Sequence, residues 1–127
     1  MADLFGSASR ALALTGRLAD GWVPSLFWAT PELVPEMQLR IDAEADAAGR
    51  DPTEIRRVYN VGGMIADGTA HDMLKGPPAH WIETLTEFAG ELGFHPFIFW
   101  PDEDPLGQLE RFATEVVPGL RPNGERV

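Results

Sequence analysis

The sequence predicts an α/β fold in which parallel strands alternate with helices. Three observations carry this expectation. Segments with apolar residues at helical spacing alternate with short runs rich in β-branched and aromatic residues. The runs are separated by helical segments, the connection that a parallel pair of strands needs. The last run, Phe94–Trp100 (FHPFIFW), is almost continuously apolar, as in a parallel strand covered on both faces. The order is helix, strand, helix, strand, helix, strand, helix.

Ala11 to Ala19 reads as a short helix with Leu14 and Leu18 on one stripe. Gly16 inside it costs about 1 kcal/mol relative to alanine, so tertiary packing must hold the helix. Asp20-Gly21 breaks it, and Trp22-Val23 forms a very short strand stopped by Pro24. After a loop from Ser25 to Thr30, Thr30 and Pro31 give an N-cap with proline at the first helical position. Val34, Met37, Ile41, Ala45 and Ala48 then define an inward face that Gly49 ends. Asp51-Pro52 caps a single turn ahead of a strand over Arg57–Ile65 (RVYNVGGMI), in which Gly62-Gly63 marks a bulge or a close backbone approach. Ala66 to Gly76 reads as a loop. Pro77-Pro78 opens a helix with Trp81, Leu85, Phe88 and Leu92 inward and Gly93 as its stop. Asp104-Pro105 starts the last helix, with Leu106, Leu109, Ala113 and Val116 or Val117 inward, and Pro118 onward frays.

Composition narrows the function classes. The 127 residues, 44% hydrophobic and 24% charged, suffice for one core and are ordinary for a globular chain. A net charge of -10 argues against nucleic acid and anionic membrane surfaces, which select Lys and Arg. The absence of cysteine excludes disulfides, thiol nucleophiles and Cys-ligated metals. No apolar run approaches the roughly 18 residues of a membrane helix, and Met1–Arg10 lacks the pattern of a secretory signal. A soluble cytoplasmic protein is the expectation.

Three segments taken together resemble the luciferase-like monooxygenases, the flavin- and deazaflavin-dependent barrel enzymes. They are RALALTGRLADGWVPS from Arg10, AGRDPTEIRRVYNV from Ala48, and GPPAHWIETLTEFAGELGFHPFIFWP from Gly76. The resemblance spans Arg10 to Arg121 and is nearest the branch that uses a deazaflavin coenzyme. It implies a (β/α)8 TIM barrel, with these strands as the sixth, seventh and eighth. Residues 1–9 form a variable N-terminus in which only Leu4-Phe5-Gly6 is similar to a fifth strand, residues 10–121 the C-terminal part of the barrel, and 122–127 a flexible tail. A whole barrel takes about 250 residues, so the expectation is an incomplete barrel. The resemblance implies a flavin/deazaflavin-dependent oxidoreductase or monooxygenase using a deazaflavin coenzyme (F-420 type) or FMN, inactive without its N-terminal half. Unpaired strand edges imply a homo-oligomer or a complementary half-barrel chain. The competing expectations are a non-catalytic oligomeric or partner-binding remnant, and a small open sheet that tolerates its exposed edge.

Ligands in such barrels meet the C-terminal strand ends, which selects Pro24 and Ser25, Asn60 to Gly63, and Trp100-Pro101. The cofactor-binding candidates are Ser25, Asn60, Gly62, Gly63 and Trp100. Asn60 could bond a ring amide and the glycines could admit a cofactor, whereas the bland alternative makes all five strand-end packing. Trp22 and Trp100 could stack on a planar ring, but such residues more often fill an interior, and Trp81 belongs to the core. His71, His80 and His95 lack metal-ligand spacing. His71 beside Asp72 suits a solvated loop better than a proton shuttle. Ser7, Ser9, Arg10 and Arg17 are candidates for an anion site at a helix start. No GxGxxG, Walker or GxSxG motif occurs, and no catalytic residue is assigned.

Overall fold

A computed structural model describes residues 6–120, and the chain divides between Val58 and Tyr59 into two units. Every strand pair is parallel: β1 (Gly21–Trp22) with β2 (Arg56–Arg57), and β3 (Tyr59–Ile65) with both β4 (Lys75–Gly76) and β5 (Phe97–Pro101). Asp72 and Lys75 add an isolated antiparallel bridge. The α/β class with small parallel sheets therefore holds.

In the first unit, Met1–Val58, α1 (Gly6–Leu18) packs on α2 (Val34–Ala47). The expected Leu14–Leu18 stripe is corrected, because Leu14 is 52% and Leu18 75% exposed, while Leu12, Ala13 and Gly16 are buried. The cause is the short distance between the helices. A Cβ on Gly16 would collide with the Ile41 carbonyl oxygen and lie 2.8 Å from the Glu44 Cβ, so the small-residue face turns inward. The core here is Leu12, Ile41, Ala45 and Ile55, with Trp22 and Met37 packed against it. Arg50 ties off α1 by donating to the carbonyls of Gly16 (2.8 Å) and Ala19 (2.7 Å), which lack helical partners. Arg57 donates to Gln38 (2.6 Å), Asp42 (2.9 Å) and the Pro52 carbonyl (3.0 Å), joining α2 to the Pro52–Glu54 turn.

Helix α2 begins later than Pro31 suggests. The N–H groups of Leu33 and Val34 both bond the Thr30 carbonyl, forming a turn before the helix, and Pro35 takes the first-turn position. Ala48 falls beyond the last turn and is exposed. Gly49 ends the helix at φ 77°, as expected, and Asp51 caps its turn by accepting from the Thr53 N–H at 3.0 Å.

The second unit, Tyr59–Val127, contains the sheet β4-β3-β5 with α3 (Pro78–Leu92) and α4 (Pro105–Arg111). Its core is aromatic. Tyr59 stacks on Phe94 at 4.0 Å between centroids and meets Phe88 edge-on, and Trp81 meets Phe99 edge-on at 5.0 Å. The Trp81 indole N–H also donates to the Met64 carbonyl at 3.1 Å, so its one polar atom is satisfied. The Pro77-Pro78 start and the Gly93 stop stand as expected.

From Arg57 onward, five expectations are corrected. The single strand over Arg57–Ile65 is two ladders, β2 and β3, that part at Val58. The loop Ala66–Gly76 contains β4, held by bonds from the Met64 N–H to the Leu74 carbonyl and from the Ala66 N–H to the Gly76 carbonyl. The strand after α3 spans only Phe97–Pro101 and is covered on one face: Phe99 is buried, whereas Ile98 and Trp100 are exposed. In the last helix, Leu106, Leu109 and Ala113 are exposed and Gln108 points inward, while Val116 beyond α4 is buried as expected. The physical reason is β3, which outlasts β5. Beyond Gly63, paired with Pro101, the Ile65 N–H and carbonyl need partners. Gln108 provides both, accepting at 2.7 Å and donating at 2.9 Å, so its side-chain amide stands in for a further strand residue. The chain also remains structured past Pro118, since Val117–Gly119 forms a 3₁₀ turn whose Gly119 abuts Ile82. The expected tail, 122–127, and residues 1–5 lie outside the described residues.

Candidate functional site

Alternation along β3 and β5 puts Asn60, Gly62, Ile98 and Trp100 on the face opposite Tyr59, Val61 and Phe99. Gly62 is in register with Trp100, and Asn60 with Ile98. The indole of Trp100 leans back along the strand and donates its N–H to Asn60 Oδ1 at 2.9 Å. Trp100 is nevertheless 62% exposed, so the expectation of an interior tryptophan is corrected at this position. An exposed indole fixed by a side-chain bond is a flat apolar surface of set orientation. This side-chain bond joins two of the five candidates.

The remaining candidates have other employment. Ser25 belongs to the first unit and organises its own loop. Its hydroxyl accepts from the Phe27 N–H at 3.2 Å, and its carbonyl accepts from Trp28 and Ala29. Gly63 is indeed a place of close backbone approach, but the approaching group is the Leu74 carbonyl, with which a Cβ would collide. Asn60 is the second residue of β3, near the strand's start, because the strand runs on to Ile65. In β3 and β5 the C-terminal strand ends are formed by Gly63 to Ile65 and by Trp100-Pro101.

Trp22 packs against the first unit's core, as the interior reading expects. His71 is exposed and bonds Lys75 through its backbone N–H. The histidine with a structural role is His80, whose Nε2 lies 2.7 Å from the Asp72 carbonyl oxygen, pinning the loop to α3. Arg17 is paired with Glu44 at 3.4 Å, which also holds Arg40. The side chains of Ser7 and Ser9 lie outside the described ones. Among the described residues, no three His, Asp or Glu side chains are grouped so that they could hold a metal ion. No described helix is long and apolar enough to cross a membrane.

Sequence reasoning missed Gln108 and Arg111 beside the end of β3. Arg111 donates to Asp67 at 2.9 Å and to Glu115 at 2.9 Å, and these bonds, Glu115 first, raise its pKa above the usual range. The i,i+4 spacing of Arg111 and Glu115 was a usable signal. Nothing local in the sequence marks Gln108 as buried. An apolar cleft of about 140 Å³ lies at the other end of β5, lined by His95, Pro96, Phe97, Phe112, Val117 and Leu120. Cofactor pockets run to about 300–1,000 Å³, so this cleft is too small for a flavin.

Compared with known proteins, the chain matches no family model and no curated protein.

Proposed function

We propose that the chain is the C-terminal part of a luciferase-like barrel oxidoreductase that uses a deazaflavin coenzyme or FMN in the cytoplasm. In this reading it is catalytically silent until a polypeptide supplying further strands completes the site. The observation that carries the proposal is the sheet of the second unit. Its strands are all parallel, aromatic helix residues cover one face, and β5 presents Ile98 and Trp100 on the other. Barrel strands have that sidedness, with helices outside and side chains filling the interior. The three resembling segments support the same reading, and they occur in the order the barrel requires.

The residues present do not by themselves form a flavin cradle. Leu74 fills the space beside Gly63, Ser25 Oγ is engaged by Phe27, and among the five candidates the surface for a ring is Trp100, steadied by Asn60. No reaction step is therefore assigned to these side chains. Titrating the chain alone with FMN and with a deazaflavin coenzyme should give no saturable change in absorbance or tryptophan fluorescence. Saturable one-to-one binding would overturn the requirement for completion.

The second reading is a non-catalytic module that works through association with its own copies or another chain. It is favoured by exposed Phe27 and Trp28 in the first unit and exposed Trp100 in the second. Light scattering after size exclusion should show an assembly larger than one chain, and a monodisperse monomer with a cooperative melt would count against both forms of association.

A further inference from the structure

We draw no further inference here: the strongest candidate, the apolar cleft at the start of β5 between Phe97, Phe112 and Leu120, carries nothing because no observation in the structure shows what covers it.

Discussion

The two units solve the same problem by different means. The first has a small aliphatic core of Leu12, Ile41, Ala45 and Ile55, and its elements are fixed by a close helix contact and two buried-side guanidinium groups. The second is filled by large rings in two sets, Tyr59 against Phe88 and Phe94, and Trp81 against Phe99 and Phe112. Little apolar area leaves position to be set by directional bonds, which is where Arg50 and Arg57 act. Large rings supply area in bulk, so the polar groups of the second unit, Gln108 above all, serve to satisfy backbone ends.

The contrast can be broken at its largest effect by Trp81→Ala. This change removes a fully buried ring that meets Phe99 and Phe112 edge-on, together with the bond to Met64, and is expected to cost about 3–5 kcal/mol in a urea melt. A loss below about 1 kcal/mol would mean that the aromatic cluster is not the main source of the second unit's stability.

Gln108→Leu comes next. It roughly keeps the side chain's volume but strands the Ile65 N–H and leaves the Ile65 carbonyl with the longer bond from Arg111 (3.4 Å), at an expected cost of about 1–3 kcal/mol. Amide exchange at Ile65 should accelerate, and an unchanged rate would show that the glutamine is not what protects that strand end.

A matched glycine pair sharpens the comparison further. Gly16→Ala puts a Cβ against Ile41 and Glu44 and should destabilise by about 1–3 kcal/mol through overpacking. Gly90→Ala in α3 meets nothing within 4 Å and should stabilise, by up to about 1 kcal/mol. Opposite signs in thermal melts are the expected outcome. The same sign for both would deny the close helix contact.

The smallest effect concerns Asp51. Bonds from the Thr53 N–H and hydroxyl hold its carboxyl below the ordinary carboxylate range. A depressed folded-state pKa gives stability that is present above the unfolded value and lost as pH falls through the folded one. Asp51→Asn should therefore flatten the acid limb of a stability–pH curve slightly while leaving the neutral region nearly unchanged. An identical acid limb would remove the cap from the account.

Much of the element order was legible because its signals are local. Proline at the starts of α3 and α4, Gly49 and Gly93 at helix ends, and the caps at Asp51 and Asp104 act on their own backbone and stand where the spacing put them. Inward faces were less legible. Leu14 and Leu18 made the better hydrophobic stripe, yet Gly16 faces inward, because the partner helix approaches too closely for a side chain. Leu106 and Leu109 outranked Gln108 by hydropathy, and lost to two backbone groups some forty residues away in the chain. Of the site, the residue types were readable but their company was not: Asn60 and Trp100 meet only because β3 and β5 pair in one register.

The sequence by itself determined most of the alternation of helices and strands, and with it the parallel pairing of β3 and β5 across α3, since period, caps and turn residues are properties of neighbours along the chain. Tertiary structure alone decided which side chains face inward, where β3 outruns its partner, and that Leu74 occupies the space beside Gly63. Those outcomes depend on distances between segments far apart in sequence, and no local pattern encodes such a distance.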